Sequence, residues 1–249
     1  MIRKPIVMLT ATVAPNTTND LAVADIDVRL TQYRRALSEW SDVSRDLPLK
    51  MVIVETSGAT PSDLLSGTPR WFARGTSVIN YEPTPDQIDR GKGAMEFGAI
   101  DHALRILDEV DAVDTVYKLT GRYCLPNARR ILVSIPPRTI LLRGKLDGSW
   151  IDSRFIGSTK EVWQSTLLPA ADLSDDRSNR WIEKCLASAV ASKAHIQELS
   201  VLPFSERPHL VGVSGSTGIS YGSMRERVRA RLLQSVEANL IRLASKKQV

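Results

Sequence analysis

Short, unbroken apolar runs alternate with longer stretches of helical periodicity across the first half of the chain. Pro5 to Val13 reads as a buried strand, followed by a polar loop from Asn16 to Asp20. From Asp27 to Ser41, Val28, Leu30, Tyr33, Leu37 and Trp40 recur at mostly helical spacing, with Arg29, Arg34, Arg35 and Glu39 between them. Lys50 to Glu55 predicts a second strand and Ser77 to Tyr81 a third. Gly91-Lys92-Gly93 opens a helix over Ala94 to Asp108, with Met95, Ala99, Ala103 and Ile106 three or four apart, and Thr115 to Leu119 is the next strand. Strands alternating with helices in this way predict an α/β, largely parallel sheet covered by helices.

Beyond residue 130 the pattern changes. Ile131 to Ile135 and Thr139 to Leu142 flank Pro136-Pro137 and read as a helix end and a strand; Trp150 to Ile156 reads as a further strand. Ser158 to Leu167 reads as a helix with Ser158 as N-cap, and Asp175 to Ser192 as a helix with Trp181, Ile182, Cys185, Leu186 and Val190 on its apolar side. Ser223 to Lys247 is amphipathic, with Val228, Leu232, Val236, Leu240 and Leu243 on one face. The domain expectation is therefore one catalytic-sized unit over residues 1–222 and a C-terminal helix over 223–249.

Composition narrows the picture little: 43% hydrophobic and 24% charged residues in 249 are ordinary for a soluble domain, and a net charge of +5 favours an anionic partner. Cys124 and Cys185 stand apart with no metal-ligand spacing, so neither a zinc site nor a disulfide framework is indicated, and a reducing cytoplasm is the natural compartment. No apolar window is long enough to span a membrane. Aromatics, 6% of residues, do not interleave with the basic ones, which argues against nucleic acid. The C-terminal helix carries Arg225, Arg227, Arg229, Arg231 and Arg242; it suits packing on this domain or on a second copy in a homo-oligomer, or lying on the inner face of an anionic membrane.

The candidate chemistry collects at strand ends and helix starts: Thr10-Ala11, Glu55-Thr56-Ser57, Lys92 to Glu96, and Lys118 to Arg122. In an open α/β sheet these loops share one edge, outside the carboxyl ends of the strands, where a nucleotide would sit. There Glu55 is placed to accept hydrogen bonds from a base or ribose, and Lys92, Lys118 and Arg122, beside Thr120 and Gly121, to neutralise a diphosphate. His209 and the Gly- and Ser-rich segment after it, including Ser214 and Ser216, read as a turn or a lid over phosphates without the Lys of a Walker A loop. His102 and His195 read as structural or exposed.

This arrangement resembles the GT-A fold of nucleotide-sugar-dependent glycosyltransferases, and particularly bacterial surface-polysaccharide transferases that carry a Lys-x-Thr-Gly-Arg-Tyr segment. The resemblance rests on Lys118-Leu119-Thr120-Gly121-Arg122-Tyr123, on Gly91-Lys92-Gly93 with Glu96, and on Asp152-Ser153-Arg154-Phe155, and spans roughly residues 5 to 222. It implies a GT-A-like, Rossmann-type mixed sheet and transfer of a sugar from a nucleotide-sugar donor to a glycan or lipid-linked acceptor. Many such enzymes hold a divalent metal with an Asp-x-Asp at the end of the central strand. Here Lys118 to Arg122 fill that place, so no cofactor is required, although Asp111, Asp114 and the acids from Asp172 to Asp176 leave metal binding open.

Inverting transfer needs a carboxylate to take the acceptor's proton. Asp152, followed by Arg154, and Glu183, near Trp181, are the two candidates, with Asp152 narrowly favoured and Arg154 assigned to the acceptor side. Two rival readings remain: a sugar-nucleotide nucleotidylyltransferase, which usually carries a Gly- and Arg/Lys-rich loop where this chain has Ala11 to Asn16, and a non-enzymatic basic module acting through the C-terminal helix.

Overall fold

The computed structural model describes residues 4–15, 21–107, 111, 114–145, 148–215 and 217–222. The predicted C-terminal helix lies outside them. The described strands are β1 (Ile6–Ala11), β2 (Lys50–Glu55), β3 (Thr76–Asn80), β4 (Thr115–Thr120), β5 (Tyr123–Cys124), β6 (Thr139–Leu141), β7 (Phe155–Thr159), β8 (Ser200–Leu202), β9 (Val211–Val213) and β10 (Ser220–Tyr221). Seven form one sheet in the order β3-β2-β1-β4-β7-β6-β8, and β10-β9-β5 form a small second one. The pairs β1–β2, β2–β3, β1–β4 and β6–β8 are parallel, and β7 is antiparallel to both β4 and β6. This is the mixed, mainly parallel, helix-flanked α/β sheet predicted from the sequence.

Both faces of the sheet are covered, so its central strands read as continuous apolar runs. Alternate residues of β1 serve different cores. Ile6 and Met8 pack with Phe97, Ile100, Trp163 and Leu186, whereas Val7 and Leu9 pack with Tyr33, Leu37, Trp40 and Phe155. The long helices are α1 (Ile26–Ser44) on the second face and α5 (Lys92–Ile106) and α9 (Ile182–His195) on the first; the short α2 (Pro61–Leu65), α3 (Arg70–Gly75) and α4 (Pro85–Arg90) lie between α1 and α5, and α6 (Ala128–Ile131), α7 (Lys160–Val162) and α8 (Leu168–Ala171) between α5 and α9. Among the described residues, no helix is long and apolar enough to cross a membrane.

Several predicted elements shift. In α1 the buried stripe is Arg29, Tyr33, Ala36, Leu37 and Trp40, while Val28 is exposed. In α5 the buried residues are Ala94, Phe97, Ala99, Ile100, Ala103 and Leu104, and Ile106 is exposed. The strand predicted over Trp150 to Ile156 begins only at Phe155, Ile151 making one isolated bridge to Gly144. Ser158 is no helix cap: it lies inside β7, where its hydroxyl donates to the Thr139 carbonyl at 2.7 Å. The helix predicted from Asp175 starts at Ile182, because Asp175 closes a tight loop by pairing with Arg177 and receiving the Arg180 backbone amide.

Candidate active site

The parallel register sets the carboxyl ends of β1, β2 and β4 side by side, with Ala11 opposite Glu55 and Thr10 opposite Thr120. At the end of β2, Glu55 is fully buried. One carboxylate oxygen accepts from the Val13 amide at 3.1 Å and the Ser57 hydroxyl at 2.5 Å, the other from the amides of Ser57 at 2.7 Å and Ala59 at 2.9 Å. Those four bonds use the lone pairs of a carboxylate, so Glu55 shapes the loops rather than reaching for a base or ribose. Ser57 completes the clamp by accepting from Val13 and Ala14 at 2.8 and 2.9 Å, and the Ala11 carbonyl accepts from Thr56. From the other side, α1 sends Arg29 to the Thr12 and Val23 carbonyls and Tyr33 to the backbone of Thr12.

On the opposite face of the sheet lies an ionic cluster. Lys118 is on the same face of β4 as Thr120, and its side chain is fully buried beneath the strand end. Its ammonium donates to Glu96 Oε1 at 2.8 Å, to the Ser153 carbonyl at 2.5 Å and to the Thr120 hydroxyl at 3.3 Å. Glu96 Oε1 also accepts from Thr10 at 2.5 Å and Thr120 at 3.3 Å. The expected phosphate-facing lysine is thus turned inward. Lys92 heads α5, where its backbone amide is capped by Asp176 Oδ2 at 3.2 Å. Gly93 lies against Ile182 at the start of α9, and this close contact of two helix N-termini brings Glu96 and Glu183 together.

Arg122 differs from every other cation at this edge. It is 8% exposed, and its Nε and Nη1 are buried with no hydrogen-bond partner among the described residues. Its guanidinium lies 5.7 Å from the Tyr33 ring centroid and close enough to Arg29 to lower that group's proton affinity, although burial is the larger cause. Gly121 sets the turn: its amide donates to the Thr10 carbonyl at 2.8 Å, and a Cβ there would come within 2.7 Å of that oxygen. Gly215 closes over the guanidinium from the β9–β10 turn, so close that a Cβ would collide with Arg122 Nη2, and its carbonyl accepts from Ala22 and Val23. Among the described residues, two of the three guanidinium nitrogens of Arg122 are thus buried without an acceptor beside a second guanidinium, a costly arrangement that an anion would relieve.

The two candidate carboxylates differ. Burial disfavours ionisation of Asp152, but Arg154 grips both its oxygens at 2.8 and 2.7 Å, and with Arg143 at 3.7 Å it holds the carboxyl below the usual aspartate range. Arg154 stacks on Tyr221 at 4.7 Å, which fastens β10 to this segment. Glu183, in the first turn of α9, accepts from the Ser153 hydroxyl at 2.8 Å. Burial raises its proton affinity above that of an ordinary glutamate, Glu96 adds to the effect, and its own amide, Ser153 and Lys118 offset part of it. Ser214 accepts the Thr217 amide and contacts Tyr123, whereas His209 is tied through its amide to Asn127. Ser216 lies outside the described residues.

No protein-family model matches the chain, and comparison with curated protein sequences finds no match. Solved structures give distant likenesses. A Desulfovibrio desulfuricans protein described as a nucleotide-diphospho-sugar transferase is 15% identical, with a TM-score of 0.45 over 82% of this chain and 80% of that one. The glycosyltransferase GlyE of Streptococcus pneumoniae is 13% identical, with a TM-score of 0.43 over 80% of this chain and 45% of that one. A 4-diphosphocytidyl-2C-methyl-D-erythritol synthase is 15% identical, with a TM-score of 0.42 over 93% of this chain and 99% of that one. Likeness at this level assigns neither activity nor substrate.

Arg29, Tyr33 and Ser153 belong to the site without being among its sequence candidates. The signal for Arg29 was present. It stands four residues before Tyr33, in phase with Tyr33, Ala36, Leu37 and Trp40, and a cation on an otherwise apolar stripe marks a buried charge with work to do. Ser153 carries no such signal, since only the register of β7 against β4 brings it between Lys118 and Glu183.

Proposed function

We propose that this protein is a metal-independent glycosyltransferase that moves a sugar from a nucleotide-sugar donor to a glycan or lipid-linked acceptor, in the synthesis of a bacterial surface polysaccharide. The observation that carries this reading is Arg122, a buried guanidinium with unused donors at the end of the central strand. A diphosphate would supply the missing acceptors. The β4 end does not suit a divalent cation, because its charged side chain is a guanidinium and the nearby Glu96 carboxylate is engaged by Lys118, Thr10 and Thr120. Fixed positive charge instead stabilises the departing nucleotide.

Glu183 is the better proton acceptor of the two candidates, since Asp152 is committed to Arg154. In inverting transfer the acceptor hydroxyl oxygen bonds to the anomeric carbon and its proton passes to Glu183. The bond from that carbon to the donor phosphate breaks, and its electron pair leaves on the nucleoside diphosphate beside Arg122.

The test is a thermal-shift series against UDP, GDP, dTDP and CMP sugars, each with EDTA and with manganese. One nucleotide class should raise Tm, by roughly 5–10 °C at about a hundredfold excess over Kd, with EDTA leaving the rise intact. Arg122→Met should abolish the rise while changing the ligand-free Tm little, because Nε and Nη1 have no hydrogen bond to lose and the methionine keeps an apolar contact with the Tyr33 ring. A rise that depends on manganese would overturn the metal-free reading, and no rise with any nucleotide would overturn the donor site itself.

A further inference from the structure

Trp150 and Trp181 belong to neither core cluster. Their rings meet edge to face at 83° with centroids 5.7 Å apart, and Trp181 remains 42% exposed. Each carries an ammonium: Lys145 lies 5.6 Å from the Trp150 ring and Lys184 lies 5.1 Å from that of Trp181. Among the described residues, neither lysine has a carboxylate partner. Two of the protein's five tryptophans are therefore paired outside the cores, each with a cation beside its ring, an arrangement that core packing does not explain.

The pair is also fixed to the site. Trp181 is the N-cap of α9, two residues before Glu183, and Trp150 adjoins Ile151, whose amide donates to the Glu183 carbonyl at 3.2 Å. The Lys145 amide donates to the Trp150 carbonyl and the Lys184 amide to that of Trp181, both at 2.9 Å. Backbone hydrogen bonds thus tie the two tryptophan segments to their lysines and to Glu183, and ring and cation–π contacts join the side chains.

We infer that Trp150 and Trp181, with Lys145 and Lys184, form a receiving platform for a saccharide that bears an anionic group. The C–H face of a pyranose suits an indole surface, and the anion draws the lysine ammonium groups from the rings to itself. As the acceptor side of the site, the platform depends for its role on the function proposed above; the binding itself does not. A carboxylate on a uronic acid and a phosphate on the sugar present the same chemistry, and the test separates them.

Three ligands are titrated into the intact protein up to about 30 mM while the indole N–H signals are followed by NMR: methyl glucuronide, glucose 1-phosphate and methyl glucoside. Trp150→Phe and Trp181→Phe assign the two signals among the five tryptophans. One or both anionic ligands should move these two signals, and the one that binds tighter identifies the source of the charge. The neutral glucoside should bind about tenfold more weakly, and Lys145→Ala with Lys184→Ala should cost the anionic ligand about fivefold. Equal affinity for charged and neutral sugars, no effect of the lysine changes, or no movement of these signals overturns the inference. The nucleotide thermal shift in the same variants keeps the two ideas apart. Sugar binding without any nucleotide shift leaves the platform standing and removes the transferase reading; a nucleotide shift with silent indole signals does the reverse.

Discussion

Asp152 and Glu183 carry the same functional group into different surroundings, with opposite consequences for stability. Asp152 has its proton affinity lowered by Arg154 and Arg143, so it contributes stability above the ordinary aspartate range that is lost as pH falls through its depressed pKa. Glu183 has its proton affinity raised by burial and by Glu96. Between the ordinary glutamate range and that raised value the native state holds a proton the unfolded chain has released, so stability falls as pH rises. Glu183→Gln keeps an acceptor for Ser153 and removes the titration. Its Tm should equal or exceed the parent's at neutral pH, and the advantage should vanish on acidification; a lower Tm at neutral pH would mean that the ionised carboxylate is a net stabiliser. The place of Arg122 just beyond the central strand is legible from spacing, but the direction of a side chain is not. A strand over Thr115 to Leu119 puts Lys118 near its end, facing a phosphate. The strand runs to Thr120, and the alternation of side chains turns Lys118 under the sheet.

Among the elements, β4, α5 and α9 meet at one ammonium. Lys118 ties Glu96 of α5 to the Ser153 segment, and Ser153 ties that segment to Glu183 of α9. Lys118→Met should cost about 3–5 kcal/mol, seen as a lower urea midpoint, because it leaves the Glu96 carboxylate without its partner. Adding Glu96→Gln should recover a substantial part of that loss, whereas additive losses in the double variant would show that the two side chains are not coupled. Elements buried on both faces were the most legible: β2 has the bounds its apolar run predicts, and β1 and β4 differ by a few residues at their ends. The segment before β7 was not. Ile151, Phe155 and Ile156 suggest a strand, yet between them Asp152 folds onto Arg154, and Ser153 turns to Glu183 and gives its carbonyl to Lys118, residues far from it in sequence. The start of α9 was hidden in the same way by the Asp175 loop, which uses helix-capping residues to close on Arg177 and Arg180.

At the scale of the whole molecule, one sheet carries two cores. Trp40 is fully buried in the core beside α1 and Trp163 in the core beside α5 and α9, and each indole nitrogen donates to a backbone carbonyl, Tyr123 at 3.0 Å and Val116 at 3.1 Å respectively. Because the same strands floor both cores, neither can be lost while the other persists. Variants that retain only Trp40 or only Trp163 should therefore report one shared urea midpoint, matching that of far-UV circular dichroism; separate midpoints would show that the two faces unfold independently. The antiparallel setting of β7 against β4 has a further consequence. The Arg122 end of the site is built where β1 and β4 finish, whereas Ser153 and Arg154 arrive from the chain leading into β7, running the other way. Residues 143–154 and the first turn of α9 thus form a block that reaches the Arg122 end through Arg154 on Tyr221, so an exchange of that block that keeps Arg154 would vary one end of the site and leave the Gly215 turn in place.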